Sequence, residues 1–285
     1  MDRQPDDLAS QISTILDGLG TGPVLVISNL MRAGTPYPRS VDRKEILNAH
    51  MEFLQPAIGD QDLWMHTFNY DFPHSWTFDV ANEPSQVGPL TEHFRKNVAQ
   101  WRSTTPIFPF AGTGEAPIEE FGPEIDPFGE SSPFAQFTQR DGVVFFYGAN
   151  VNTATIMHYA EKVEGGPAYR YDKLFPGQVT LTDGSVRKVT LRYHVRPWES
   201  DLDYDHDRNL SDLIDAGVLR SWQSGPVRYL AASAKDMVSF WVSRLAENPV
   251  CLLNDQSRLW VEPMLERLGR RFELEDFEPA QLITS

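Results

Sequence analysis

Apolar side chains recur at helical spacing from the start of the chain. Leu8, Ile12, Ile15, Leu16 and Leu19 share one helix face, and Gly18, Gly20 and Gly22 then break the pattern. Val24-Leu25-Val26-Ile27 is a short, unbroken apolar run, as a strand buried on both faces requires. Ile46, Leu47, His50, Met51 and Leu54 predict a second helix with Pro56 just past it, and Leu63 to Phe68 predict another strand. Helix alternating with strand predicts an α/β layered domain.

Residues 102–133 break this rhythm. Pro106, Pro109, Pro117, Pro123, Pro127 and Pro133 sit among Gly and aromatic residues. Each proline lacks a backbone donor and fixes φ, which argues against regular helix or central strand. The Ile and Phe residues there call for burial, so the stretch is expected to form a loop wall around a site. Val143 to Tyr147 is the most strand-like run and stops at Gly148; a helix is expected from near Thr153, carrying His158 and Glu161. Val179-Thr180-Leu181 and Val186 to Tyr193 flank Asp183-Gly184, a hairpin-turn signal. Amphipathic helices are expected around 207–216 and 234–246, the latter stopped by Asn248-Pro249. The expected architecture is α/β: one layered α/β/α domain over 1–285, with a mixed central sheet and an antiparallel hairpin insertion at about 165–200.

Charge narrows the partners more than the fold. The 285 residues carry 25 Lys and Arg against 40 Asp and Glu, for a net charge of −15. Non-specific nucleic-acid binding needs a surplus of cations, and so does attachment to an anionic membrane face; neither is expected here. An acidic surface suits cationic substrates, although solubility alone also accounts for it. The single cysteine, Cys251, excludes an intramolecular disulfide and a Cys-based zinc cluster. No run approaches the ~18 apolar residues of a membrane span. Met1 to Asp7 has neither the basic segment nor the apolar core of a signal peptide. A cytoplasmic monomer or homodimer is the expectation.

The usual nucleotide fingerprints are missing. Gly18-Leu19-Gly20-Thr21-Gly22 precedes its strand, whereas a dinucleotide fingerprint follows one. There is no phosphate loop, no Gly-x-Ser-x-Gly elbow and no His-Glu-x-x-His zinc spacing. Cys251 lies in the apolar segment Pro249 to Leu253 with no base nearby, so it reads as a buried hydrophobe. The best catalytic candidate is Thr155 to Glu161, because on a helix His158 and Glu161 share a face. A carboxylate beside an imidazole raises its pKa and orients its tautomer, giving a general base near neutral pH. The same spacing also describes a surface pair contributing roughly a few tenths of a kcal/mol. Asp201 to Asp207 is the densest acidic cluster, suited to a divalent cation or an ammonium group. Its calcium-loop Gly and Glu are missing, and aspartates opening a helix also answer to the dipole. No metal is expected.

Five segments then stand in a fixed order. They are Val26-Ile27-Ser28-Asn29-Leu30, Pro84 to Arg95, Arg102-Ser103-Thr104-Thr105-Pro106, Gly129-Glu130-Ser131-Ser132-Pro133 and Thr155 to Glu161. Together they resemble the V-H-S-S-L, PS-x-MG-x-L-x-E-x-(F)R, RS-x-HP, G-x-x-SP and T-x-x-H-x-x-E segments of the aminoglycoside 3-N-acetyltransferase family. The resemblance covers residues 24–165, with a looser match over 200–250. It has departures: Thr105 and Ile27 replace motif histidines, Pro109 a motif serine, and His66 a proline. Pro167 to Lys173 resembles an insert of relatives that acylate amino groups of nucleotide-linked sugars.

The resemblance implies direct transfer from acetyl-CoA, or another acyl-CoA, to a primary amine. His158 would take the proton of the attacking amine, and Glu161 would support the imidazolium. For the coenzyme it implies Arg102, Ser103 and Ser132, with backbone N–H groups near Ser28 and Asn29 facing the oxyanion. Read from the residues alone, Arg102 equally suits a structural ion pair and Ser132 a turn. Thr67, Tyr70 and Asp79 would wall the acceptor site, and Arg170 with Lys173 would meet a nucleotide diphosphate. The expected acceptor is therefore the amine of a nucleotide-linked sugar. The alternatives are a polycationic aminoglycoside held by residues such as Asp203 and Asp205, and a coenzyme-binding relative without activity.

Overall fold

In the computed structural model, which describes residues 5–34, 40–118, 122–197, 201–224 and 227–278, the Val143–Tyr147 run buries all five side chains. Alternate residues of a strand enter opposite faces of the sheet. Val143, Phe145 and Tyr147 pack under the helices Pro5–Leu16, Arg43–Ile58 and Pro89–Asn97, with Val24 and Val26 beside them. Val144 and Phe146 pack with Leu25 and Ile27 on the other side, against the helices Pro133–Gln139, Ile156–Val163 and Ala234–Glu247. The expected α/β/α layering follows from this alternation.

The strands are β1 (Val24–Ser28), β2 (Leu63–His66), β3 (Thr77–Asp79), β4 (Trp101–Arg102), β5 (Phe110–Gly112), β6 (Glu124–Ile125), β7 (Val143–Tyr147), β8 (Tyr171–Thr180), β9 (Val186–Val195), β10 (Arg220–Ser224) and β11 (Val227–Ser233). The central sheet runs β10-β11-β7-β1-β2-β5-β4. Strands β7, β1 and β2 are parallel, and β11 and β5 add antiparallel neighbours on either side, so the sheet is mixed. A second sheet, β3-β8-β9-β6, is built on the antiparallel hairpin.

Three expectations change in detail. Pro56 lies inside the Arg43–Ile58 helix; it sits in the last turn, and Gly59, at φ 74°, closes the end by donating to Gln55. The proline-rich stretch is not wholly irregular, because β5 and β6 use the proline-free intervals Phe110–Gly112 and Glu124–Ile125. Pro133 opens a helix, where its missing N–H leaves nothing unpaired. The hairpin turns at Asp183-Gly184 as expected, but β8 begins at Tyr171 and runs through Pro176. Pro176 is tolerated because β3 pairs only from Gln178 onward, leaving its nitrogen side beyond the end of the neighbouring strand. Among the described residues no helix is long and apolar enough to cross a membrane.

Candidate active site

The parallel strands β7, β1 and β2 deliver their following segments to one edge of the sheet, where open α/β sheets place ligands. After β7 the chain turns at Gly148, with φ 69°; a Cβ there would stand 2.4 Å from the Ala33 backbone nitrogen, so only glycine fits. One tight turn, Val151–Thr153, then leads into the Ile156–Val163 helix.

On that helix His158 and Glu161 do meet. Nδ1 of His158 lies 2.7 Å from Oε2 of the buried Glu161. The other carboxylate oxygen accepts from the hydroxyls of Tyr169 at 2.5 Å and Tyr204 at 2.9 Å. Arg170, only 6% exposed, donates to the Tyr204 hydroxyl from Nε at 3.2 Å and Nη2 at 3.0 Å. His194 of β9 places Nε2 4.0 Å from Glu161 Oε2, and this buried nitrogen has no hydrogen-bond partner. Phe128 packs against both imidazoles, with ring centroids 5.5 Å and 5.1 Å away.

The electrostatics follow from burial and charge. Burial works to raise the Glu161 carboxyl, but the neighbouring imidazole of His158 and the Arg170 guanidinium outweigh it and bring it down to about 2. His158 shifts in the opposite sense from the expected one. Burial lowers it, Arg170 lowers it further, and the carboxylate only partly compensates. The imidazole is therefore neutral at neutral pH, with its proton on Nδ1 facing the carboxylate and Nε2 left to accept another. His194 is held well below the usual range by burial and by His158. Donor atoms of His158, Glu161 and His194 lie within 4.8 Å of one another. A metal there would break the His158–Glu161 bond and share the site with a buried guanidinium, so the donor set fits one poorly.

Beyond His158 lies a cavity of about 310 Å³, lined by Tyr70, Pro73, Ile107, Phe108, Thr155, His158 and Tyr193. Ile107 adopts φ 66°, a left-handed conformation rare for a β-branched residue, and its carbonyl accepts the Asn69 N–H at 3.1 Å. Tyr70 thus lines the same cavity as His158.

Several other expected site residues are committed elsewhere. Arg102 directs its guanidinium at Thr67 and at the carbonyls of Val80 and Glu83, so it ties the end of β2 to the segment 80–83. Thr67 is fully buried and donates to the Pro109 carbonyl, which makes it part of the same brace and not a cavity wall. Ser103 pairs with Phe110 through both its backbone N–H and its hydroxyl. Ser132 caps the Pro133–Gln139 helix by accepting from Ala135, the turn reading, although it also borders a separate cavity with Thr105 and Glu130. Asp79 caps the turn 79–82, accepting from Ala81 and Asn82. The backbone N–H of Asn29 is donated to the Tyr147 carbonyl and is not free for an oxyanion; Ser28 ends β1 in a bridge to Gly148.

Arg170 and Lys173 form no phosphate clamp. An odd separation puts them on opposite faces of an extended chain: Arg170 turns inward to Tyr204, while Lys173 pairs with Glu278 at 2.5 Å. Asp205 caps the His206–Asp215 helix and Asp203 accepts from the Tyr204 backbone, so both act locally. Cys251 is half-buried and its thiol is pushed up by burial.

The match to known proteins agrees with this geometry. A family model described as aminoglycoside 3-N-acetyltransferase matches residues 54–246. The chain belongs to the aminoglycoside 3-N-acetyltransferase family. It is 28% identical over 227 residues to the aminoglycoside N(3)-acetyltransferase VII of Streptomyces paromomycinus, covering 68% of this chain and 77% of that one. It is 33% identical over 189 residues to the aminoglycoside N(3)-acetyltransferase VIII of Streptomyces fradiae, covering 64% and 59%. In fold it resembles AAC-IIIb solved as a binary complex with CoASH, with a TM-score of 0.65 at 19% identity over 86% of this chain and 97% of that one. The aminoglycoside acetyltransferase AAC(3)-Xa gives the same TM-score, 0.65, at 20% identity, covering 86% and 93%.

The matched aminoglycoside 3-N-acetyltransferase region contains the whole network around Glu161. Three of its members, and Tyr193 of the cavity wall, were missed in the sequence. Tyr169 and Tyr204 sit beside residues that drew attention for their charge, Arg170 and the acidic run 201–207. His194 and Tyr193 lie on a strand whose alternation is apolar and carries no catalytic signature.

Proposed function

We propose that the protein is an acetyl-CoA-dependent N-acetyltransferase whose acceptor is a cationic, aminoglycoside-type amine. The observation that carries this reading is the His158–Glu161 pair, backed by Tyr169, Tyr204 and Arg170 and open on its other side to the cavity at Tyr70. The names of the relatives support the acceptor class and the coenzyme.

A protonated amine has no lone pair to attack a thioester, so the reactive acceptor is the free amine. As its nitrogen bonds to the acyl carbon, the carbonyl electron pair moves to oxygen and His158 Nε2 takes the N–H proton. Glu161, charged and fixed by two tyrosine hydroxyls, stabilises the imidazolium that forms. Collapse of the tetrahedral adduct re-forms the carbonyl and expels the coenzyme thiolate, which recovers the proton from His158. The products are an amide and free CoA. The raised thiol of Cys251 gives it no part in the transfer.

Acidic groups near the cavity favour a cation. Asp71 follows Tyr70, and Glu83 is pushed up by burial and by the charges of Asp71 and Asp79. An ammonium group placed there relieves that repulsion. The nucleotide-sugar acceptor has lost its physical support, since Arg170 and Lys173 are both engaged. Thiol release from acetyl-CoA, measured with gentamicin-type amines and with nucleotide-linked amino sugars, tests the choice. Turnover confined to the nucleotide-linked amines would overturn the aminoglycoside-type acceptor.

A further inference from the structure

Buried polar atoms in folded proteins are paired, so an unpaired one beside a reactive group calls for an explanation. His194 is 2% exposed, and its Nε2 has no hydrogen-bond partner while standing 4.0 Å from Oε2 of Glu161. It lies on the face of β9 that carries Thr190 and Arg192, and there the Ile156–Val163 helix covers it. Its ring meets that of His158 edge-on, with centroids 5.7 Å apart, and Phe128 closes another side at 5.1 Å. Arg170 Nη1 donates to the His194 carbonyl at 3.4 Å, which ties the strand to the network at this point.

The carboxylate has a place for this imidazole. An ionised carboxylate offers about four acceptor sites. Among the described residues, donors fill three of those on Glu161: Tyr169 and Tyr204 on Oε1, and His158 on Oε2. His194 approaches the oxygen that has only one donor. His194 is neutral, because His158, Arg170 and Lys162 add to burial in lowering it and Glu161 alone opposes them. The phenols of Tyr169, Tyr193 and Tyr204 are raised and uncharged, and Asp172, opposite His194 across the hairpin, turns to Arg192 at 3.5 Å. A lone pair on Nε2 would face a negative charge, so the favoured tautomer carries its proton on Nε2 and directs an N–H at the carboxylate. A neutral donor there draws charge from Oε2. Glu161 then supports the His158 imidazolium without holding it too firmly to return the proton to the thiolate.

We propose that His194 is a positioning residue of acyl transfer, whose Nε2–H closes on Oε2 of Glu161, holds the carboxylate in line with His158 Nδ1 and limits its grip on the imidazolium. His194 does not line the reaction cavity, and it gives up no proton. The proposal rests on the acetyl-CoA-dependent reading above.

The test compares His194→Phe, which keeps a planar ring and loses the donor, with His194→Gln, whose amide nitrogen takes the place of Nε2. Thiol release from acetyl-CoA is followed from pH 5 to 8.5, with CoASH affinity measured alongside. In His194→Phe the acid limb of kcat should move up by about 0.5–1 pH unit, the effect of one hydrogen bond to the carboxylate. In His194→Gln it should stay within about 0.2 unit of wild type, with acceptor KM and CoASH affinity within about threefold in both variants. A merely structural role lowers stability or activity and leaves the limb in place. A rise of less than about 0.3 unit in His194→Phe, or an equal rise in His194→Gln, therefore overturns the proposal and leaves the acetyltransferase reading standing. Nitrogen-15 NMR of histidine-labelled wild type gives a reading that does not depend on how the variants fold. Protonation of His194 on Nε2 supports the contact, and protonation on Nδ1 alone overturns it. A wild type that acetylates no amine removes the acetyltransferase reading, and the role of His194 with it.

Discussion

Glu161→Gln isolates the charge and proton geometry of the proposed relay while keeping the side chain's shape. Tyr169 and Tyr204 both donate to Oε1, so the amide oxygen belongs there and the amide nitrogen faces His158 Nδ1. A nitrogen that donates to Nδ1 favours the tautomer protonated on Nε2, which cannot accept a proton from the amine. Misplacing that proton removes most of the general-base contribution, about 10²–10⁴ in rate. This equals ~3–5 kcal/mol of barrier. The pH dependence adds a second readout. His158 lies below 6.5, and Glu161 is the influence that pulls it upward. A base works above its pKa, so the acid limb of the wild-type profile falls below pH 6.5, and in Glu161→Gln it moves lower still. Initial rates of thiol release, recorded from pH 5 to 8.5 on protein shown to be folded by near-UV circular dichroism, give both quantities. Activity within threefold of wild type at pH 7.5, or an acid limb that moves upward, refutes the reasoning.

Three further outcomes are expected. Cys251→Ser should keep more than half of the activity, and intact mass spectrometry during turnover should show no acyl-enzyme; an acyl adduct on Cys251 would replace direct transfer with a covalent mechanism. Arg170→Ala should cost ~3–5 kcal/mol in urea unfolding, because it leaves the buried Glu161 carboxylate without its balancing cation; a variant of full stability with a changed acceptor KM alone would contradict that role. His66 is buried, has an unpaired Nε2 and is lowered by burial to about 3, so the unfolded chain binds the extra proton between pH ~3 and 6.5 and stability is lost as pH falls through that range. His66→Leu should accordingly flatten the fall of Tm between pH 6.5 and 4, and an unchanged slope would show that His66 is not among the groups responsible.

Periodicity exposed the layers because strands such as Val143–Tyr147 must be apolar on both faces, and few other contexts demand that. The His158–Glu161 pair was legible for a similar reason: both residues lie on one helix, where spacing fixes geometry. The rest of the network was not, since Tyr169, His194 and Tyr204 reach Glu161 from the start of the hairpin, its second strand and the segment after it. Local patterns carry no record of such long-range convergence. Arg102, Arg170 and Lys173 misled for the converse reason. Their charge was visible in the sequence, but the carbonyls, hydroxyls and carboxylates that occupy them were not. The sense of the His158 shift depended on burial, which outweighs a carboxylate that sequence spacing alone makes dominant.

The general-base role of His158 is tested most directly by comparing wild type and His158→Ala for acetyl transfer to an aminoglycoside and, in parallel, for CoASH affinity. Among the described residues that line the cavity His158 carries the only side-chain nitrogen, and the replacement removes it while Glu161 keeps its two tyrosine donors. Turnover should fall by about 10²–10⁴, with CoASH bound within threefold of wild type. Turnover by His158→Ala within threefold of wild type, at equal coenzyme affinity, would contradict the assignment of the base.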